Sequence, residues 1–237
     1  MMKKNVLVSI IIPVYNEQNL IKRLLDKVNS VKNIKKEIII INDGSSDKTY
    51  EVIKNECKNQ FNILINCKIN KGKGHACRIG IKKAKGQIIL IQDGDLEYNP
   101  KNYLRLIKPI LKNKSQVVYG SRVIKGAVRT RPKTLSFAIR IFANHFLTFL
   151  SNIINNQDLT DAHTCYKVFS SKIIKKISLK EDGFNFCPEV TTKISKLNVK
   201  IIEVPIDYYG RTVDEGKKIQ FFDGFRAIYC LFKYRFL

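Results

Sequence analysis

The chain has 237 residues, enough for one medium domain with a substantial core, and its 44% hydrophobic content excludes a disordered polymer. The net charge of +23, from 43 basic and 20 acidic residues, favours anionic partners. The lysines are spread along the chain without a basic tail or an aromatic-interleaved platform, so dedicated nucleic-acid binding is not expected.

The opening MMKKNVLVSIIIPVYNEQ looks superficially like a signal sequence. Its apolar run stops at Pro13, Asn16 and Glu17 follow, and no small-residue cleavage pattern is present. It reads as a buried first strand over 6–12, followed by a helix over 17–30 with Leu20, Leu24, Leu25 and Val28 on one face. A second strand is expected over 37–41, a turn over 42–46, and a helix over 48–60 capped by Asp47. A third strand over 62–67 leads through the loop NKGKG to a helix over 75–84, and a fourth strand, 87–92, ends at Asp93. Near-continuous apolar strands alternating with helices imply a mostly parallel α/β sheet covered on both faces. Such sheets bind ligands at the carboxyl ends of their strands, where Asn16–Glu17, Asp43 and Asp93–Asp95 fall.

The second half is less regular. A helix is expected over 101–112, a strand over 116–120, a basic loop over 123–132 and an apolar helix over 133–154. Then come a strand over 164–169, a helix over 188–196, a strand over 199–204, a charged loop over 210–217 and an aromatic terminal helix over 218–235. No internal repeat or long linker divides the chain. It is read as a single domain, 1–237, with a donor-side half over about 1–120 and an acceptor-side half over about 121–237. No run of about 20 apolar residues occurs, so no transmembrane span and no signal peptide are expected, and a cytoplasmic location follows. Cys57, Cys67, Cys77, Cys165, Cys187 and Cys230 lack paired short spacings and read as scattered thiols in a reducing compartment, not as a zinc site.

Asp93-Gly94-Asp95 is the sharpest local feature. Two carboxylates around a small residue at a strand end suit Mg²⁺ or Mn²⁺, which prefer oxygen ligands and share them with phosphate. Glu97 adds a nearby acid, and Gly94 lets backbone approach a ligand. Asp43 is either an acceptor for a nucleobase or ribose, or a turn residue; Glu17 is either a site residue or a helix cap. Lys73 could meet phosphate, but NKGKG is neither a dinucleotide fingerprint nor a phosphate loop, so kinase, ATPase and nicotinamide chemistry lose their warrant. Arg122 and Arg211 offer forks suited to phosphate or to structural ion pairs, and Lys217 is a weaker version of the same idea. His75, His145 and His163 have no evident triad partners, and no glycine-flanked serine elbow occurs.

Taken together, VSIIIPVYNEQNLI, IIINDGSSDKT, NKGKGHACRIGIKKAKG, ILIQDGDLEYNP, YGSR, TDAHTCYKVF and IEVPIDYYGRTVDEGKKI resemble family 2 inverting glycosyltransferases. The resemblance is strongest to polyprenyl- and dolichyl-phosphate hexosyltransferases and runs from Val6 to about Arg235. It implies a GT-A fold. It places Pro13, Tyr15, Glu17 and Asp43 around the nucleoside, and Lys73, Asp93, Gly94 and Asp95 at the rest of the donor. Asp93, Asp95 and Glu97 would surround Mn²⁺ or Mg²⁺, although some relatives carry Gln at the place of Glu97. Arg122, Arg211 and Lys217 would meet donor diphosphate or acceptor phosphate, and Asp161 would lie near the acceptor.

The implied reaction moves a hexose from UDP-glucose or GDP-mannose to a lipid phosphate in one inverting displacement. The acceptor is already anionic, so the task is positioning and charge stabilisation. Were the acceptor a glycan or protein hydroxyl instead, Asp161 would have to serve as base. A non-enzymatic basic binding protein is the alternative of another class. Segments 133–154 and 218–237 combine aromatic and basic residues and could lie on a membrane surface, or Phe222, Phe225, Tyr229 and Phe232 could pack on the sheet.

Overall fold

Each β-branched run in the first half becomes a strand and each segment of helical period a helix. The structure is a computed structural model that describes residues 6–130, 135–211 and 222–237. Strands β1 (Leu7–Val14), β2 (Lys35–Asn42), β3 (Ile63–Asn66) and β4 (Ile88–Ile91) alternate with α1 (Ile21–Ser30), α2 (Thr49–Glu56) and α3 (Lys73–Lys83). A 3₁₀ turn, Pro100–Asn102, leads into α4 (Tyr103–Leu111) and β5 (Val117–Ser121). Beyond it lie β6 (Val128–Thr130), α5 (Leu135–Asn155), β7 (Lys167–Ser170), α6 (Ser171–Ile174) and α7 (Phe186–Ser195). The chain ends in β8 (Ile201–Pro205), β9 (Asp207–Tyr209) and α8 (Phe222–Phe236).

The main sheet has the order β3-β2-β1-β4-β7-β5-β8. Neighbours are parallel except β7, which runs antiparallel to both β4 and β5. Because β7 lies between β4 and β5, both halves of the sequence build one sheet. In β1 and β2 the register pairs Val14 with Asn42, and Ile11 pairs with Ile91 of β4. The carboxyl ends of these three strands therefore open on one edge.

Ile10, Ile11, Ile12, Ile39, Ile40 and Leu90 are fully enclosed in the sheet. Ile21, Leu24, Leu25 and Val28 cover one face from α1. Each such side chain contributes about 1.5–3 kcal/mol on burial. At the opposite, amino-terminal edge, the buried Glu37 carboxylate accepts hydrogen bonds from Ser9 Oγ, from Lys85 N–H (2.7 Å) and from Gly86 N–H (2.9 Å). It thereby ties the turn before β4 to β2.

Several expectations need correction. The basic loop over 123–132 contains β6, which pairs in parallel with β9; three-residue strands are too short for period to reveal. The strand expected over 164–169 is confined to Lys167–Ser170, because residues before it belong to the loop that holds Asp161 and His163. Glu17 does not cap α1 with its side chain: the N-cap is Leu20, without a side-chain bond. Asp47 does serve the start of α2, accepting from Thr49 N–H at 2.9 Å. Phe222, Phe225, Tyr229 and Phe232 do not pack on the sheet; they are exposed, and α8 buries Ala227, Cys230 and Leu231 instead. Among the described residues one helical stretch, Phe137–Asn155, is long and apolar enough to cross a membrane. Lys217 and most of the charged loop over 210–217 lie outside the described residues.

Substituting Glu37 by Ala would strand buried N–H groups. The variant is expected to lose about 2–4 kcal/mol, read as a lower urea midpoint; an unchanged midpoint would contradict this role.

Candidate active site

At the carboxyl edge of β1, β2 and β4 a cavity of about 980 Å³ opens. The end of β1 and the segment after it bring Pro13, Tyr15 and Glu17 to its wall, Asp43 follows directly on β2, and the turn after β4 brings Asp93, Gly94, Asp95 and Glu97. Lys73 enters from the first turn of α3, Arg122 from the end of β5 and Arg211 from beyond β9. The candidate residues thus converge on one space, with two exceptions. Asp161 is fully buried behind the wall, and Lys217 is not described.

Asp43 holds the glycine loop that precedes α3. Its Oδ2 accepts from Gly72 N–H at 2.6 Å, and Lys71 N–H lies 3.3 Å from both oxygens. Gly72 has φ +104, and a Cβ there would stand 2.7 Å from the Asp182 carbonyl oxygen, so glycine is required on both counts. Gly94 is different: a Cβ would meet its nearest neighbours at 3.4 Å, an ordinary contact. The left-handed residue of the acidic turn is Leu96, at φ 61.

The two aspartates of the acidic turn respond to their surroundings in opposite ways. Lys73 Nζ lies 2.6 Å from Asp93 Oδ1. Burial disfavours the Asp93 carboxylate, but Lys73 outweighs it and holds the group below its ordinary value. Asp95 goes the other way: burial, then Glu97 and Asp93, push it up to about 7 despite Arg211. The Arg211 guanidinium sits among three acids, 3.1 Å from Asp95, 3.4 Å from Glu17 and 3.9 Å from Glu97. The Arg211 backbone N–H donates to Glu97 Oε1 at 2.8 Å, and Tyr208 O–H donates to Glu97 Oε2 at 3.0 Å. Glu97 thus ties the Arg211 backbone and Tyr208 to the acidic turn.

Arg122 is committed to Asp161. Its Nε and one terminal nitrogen reach the two carboxylate oxygens at 2.6 and 2.7 Å, and its backbone N–H adds a third bond at 3.1 Å. Asn144 of α5 donates to the same carboxylate at 3.1 Å. Burial works against the Asp161 anion, but Arg122 overrides it and brings the group down to about 2. The guanidinium also lies over the Tyr208 ring, 5.0 Å from its centroid. Buried and engaged by Arg122 and Asn144, the Asp161 carboxylate fixes the direction of the Arg122 guanidinium.

Other residues of the site were not singled out as donor, metal or acceptor residues from the sequence. Gln92 accepts from Tyr103 and Tyr166 hydroxyls at 2.8 and 2.7 Å and donates to the Asp93 carbonyl at 2.9 Å, fixing the start of the acidic turn. The Tyr98 hydroxyl accepts from Cys165 N–H at 3.0 Å. His163 lines the cavity, and its Nε2 finds no hydrogen-bond partner among the described residues. Burial, followed by Lys167, lowers it to about 4. Gln92 and Tyr98 belong to ILIQDGDLEYNP and His163, Cys165 and Tyr166 to TDAHTCYKVF, but only the fold brings these positions together.

Residues 9–178 match the description "Glycosyl transferase family 2". The chain belongs to that family. Over 219 residues it is 30% identical to a dolichyl-phosphate beta-glucosyltransferase of Trichomonas vaginalis, covering 86% of this chain and 66% of that one. Over 247 residues it is 29% identical to the UDP-N-acetylglucosamine–dolichyl-phosphate N-acetylglucosaminyltransferase of Methanococcus voltae, covering 95% of this chain and 94% of the other. The chain thus spans about two thirds of the first relative and nearly all of the second. In three dimensions it resembles glucosyl-3-phosphoglycerate synthase of Mycobacterium tuberculosis, solved with Mn²⁺, UDP and glucosyl-3-phosphoglycerate, with a TM-score of 0.71 at 16% identity, over 98% of this chain and 81% of that one. The fold is the expected GT-A fold.

Replacing Arg122 by Ala would leave Asp161 charged and enclosed, and is expected to cost about 3–5 kcal/mol. Because the folded-state value of Asp161 lies below the unfolded one, its stabilising share is present above about pH 4 and lost as pH falls toward its folded value of about 2. Denaturation midpoints at neutral and acid pH check this: the variant should show a smaller loss on acidification than the parent chain.

Proposed function

We propose that the protein transfers a hexose from a nucleotide-sugar to a polyprenyl phosphate, with inversion at the anomeric carbon. The carrying observation is the composition of the cavity along its length. One end is the acidic and basic floor described above. The other runs between α5 and α8, where Phe137, Ile141, Leu147, Phe225 and Ile228 line it. A charged floor joined to an apolar trough suits a ligand with a phosphate at one end and an isoprenoid at the other.

The donor nucleoside is assigned to Pro13, Tyr15, Glu17 and Asp43, and its diphosphate to the region of Lys73, Asp93, Gly94 and Asp95. Hard carboxylate donors and the upward displacement of Asp95 fit a site that gains from more positive charge. Asp93 and Asp95 would hold Mn²⁺ or Mg²⁺, with Glu97 beside them; when bound, the ion neutralises charge on the departing diphosphate. Arg211 adds charge to the same end, and Arg122, oriented by Asp161, is assigned to the acceptor phosphate, as is Lys217. An acceptor phosphate oxygen attacks the anomeric carbon, the bond from that carbon to the diphosphate oxygen breaks, and the nucleoside diphosphate leaves. The nucleophile needs no base, in keeping with Asp161 as a spent carboxylate. That point favours a phosphate over a hydroxyl acceptor.

A surface role for α5 and α8 fits the same reading. Phe142, Phe149 and Tyr229 are 73%, 62% and 65% exposed. On a chain of net charge +23, such faces suit a peripheral contact with an anionic membrane on its cytoplasmic side. A purely nucleic-acid-binding protein would leave the acidic floor without a reason.

Purified chain with Mn²⁺, a short polyprenyl phosphate and UDP-glucose, UDP-N-acetylglucosamine or GDP-mannose should give a lipid-linked product by mass. The Asp95→Ala variant should lose at least about a hundredfold in turnover. Product on soluble hydroxyl acceptors alone would overturn the acceptor assignment. In a second test, replacing Phe142, Phe149 and Tyr229 together by Ser should weaken binding to anionic vesicles at least tenfold while sparing turnover of a water-soluble short acceptor. Equal vesicle binding would remove the membrane role.

A further inference from the structure

The cysteine spacing gave no metal motif, but the fold assembles one. Asn42 and Asn66 are paired at the ends of β2 and β3, so Asp43 and Cys67 are the next residues out on adjacent strands. Cys67 N–H donates to the Asn42 carbonyl at 2.9 Å, which holds that register. His75 comes down from the first turn of α3, fixed by its N–H on the Asp182 carbonyl at 3.0 Å. The ligand atoms of Asp43, Cys67 and His75 all lie within 4.8 Å of one another.

We propose that Asp43, Cys67 and His75 form a zinc site, separate from the carboxylates of the acidic turn, whose occupancy closes the nucleoside end of the cavity. The donor set is one oxygen, one sulfur and one nitrogen. That combination suits zinc and leaves a fourth tetrahedral position open; Mg²⁺ has little use for a thiolate. His75 Nδ1 and Asp43 Oδ1 are 3.5 Å apart. Ligands about 2.1 Å from a tetrahedral zinc stand about 3.4 Å apart, so this edge is already formed. His75 Nδ1 is buried and has no hydrogen-bond partner among the described residues. Asp43 divides its work: Oδ2 takes the short bond from Gly72, while Oδ1 receives the longer approach of Lys71 and faces His75. Cys67 is only half-buried and is one of six free thiols. Completing the site needs the Cys67 and His75 side chains to close on the ion by about 1 Å, within the reach of small χ adjustments.

The consequence follows from Asp43 and rests on the donor assignment made above. Asp43 lines the cavity; Cys67 and His75 stand behind it. A carboxylate committed to zinc is no longer available to a nucleoside, so zinc and donor exclude each other.

The test uses the full, reduced, metal-free chain with excess Mg²⁺ to occupy the carboxylates of the acidic turn. Zn²⁺ is titrated against a chromogenic chelator, and Co²⁺ is added separately as an optical probe. One equivalent of Zn²⁺ should bind, and Co²⁺ should show thiolate charge transfer. Cys67→Ser and His75→Ala should each weaken Zn²⁺ at least tenfold, and Cys67→Ser should abolish the charge-transfer band; Cys57→Ser should change neither. Circular dichroism confirms that the variants are folded. Wild-type Zn²⁺ affinity in both folded site variants, or no competition with the chelator by the parent chain, overturns the site. In a second arm, Zn²⁺ should raise the apparent Kd for UDP or GDP with Mn²⁺ in the parent and not in Cys67→Ser. Unchanged nucleotide affinity with zinc bound overturns the exclusion. A chain that binds zinc but neither nucleotide overturns the donor assignment and leaves the site standing.

Discussion

Glu17, Asp43, Asp93, Asp95 and Glu97 crowd one edge of the sheet because the register of β1, β2 and β4 leaves no other place for the residues that follow them. Like charges so close raise each other's cost of ionisation, and burial adds to it. The molecule answers with cations brought from elsewhere in the chain. Lys73 comes from α3 to Asp93, and Arg211 comes from beyond β9 to Glu17, Asp95 and Glu97. The balance is incomplete at Asp95, which is the residue with most to gain from a further positive charge. The pairing of β6 with β9 shapes the segment that delivers Arg211, so a minor two-stranded sheet has a direct bearing on the charge of the floor.

The acceptor side is organised by a different interaction. Arg122 and Asp161 form a buried, two-pronged pair, and the elements that support it come from three parts of the chain. Asn144 reaches Asp161 from α5, Glu203 of β8 accepts its backbone N–H at 2.9 Å, and Tyr208 of β9 lies beneath Arg122. A buried pair of this kind adds little net stability, but removing either partner is costly. It fixes the direction of a cation at the cavity wall, next to the start of the apolar trough between α5 and α8. Charge and grease thus meet where a lipid phosphate would need them.

Much of this was legible in the sequence because strands β1, β2 and β4 are apolar throughout, and apolar runs announce buried parallel strands. The strand-end positions of Glu17, Asp43 and Asp93 followed from that alone. The cations were less legible. Lys73 was one lysine among many, and its pairing with Asp93 depends on how α3 packs across the strand ends. The pairing of Asp161 with Arg122 through both carboxylate oxygens was not legible either. Nor was it legible that Tyr208 and Arg211 hydrogen-bond to Glu97. The grouping of Asp43, Cys67 and His75 had no signature in the chain, since it arises from adjacent strand ends and a helix start. Period and composition report which face is buried; they do not report which distant side chain arrives there.

The central claim is that the carboxyl edge is a seat shared by a divalent cation and a nucleoside diphosphate. Calorimetric titration of UDP and GDP into the metal-free chain, with and without Mn²⁺, tests it directly. If the seat is shared, Mn²⁺ tightens the nucleotide and the nucleotide tightens Mn²⁺ by the same factor, at least about tenfold, because coupling between two ligands is reciprocal. Equal nucleotide affinity with and without Mn²⁺, in a chain that binds both, would contradict the account.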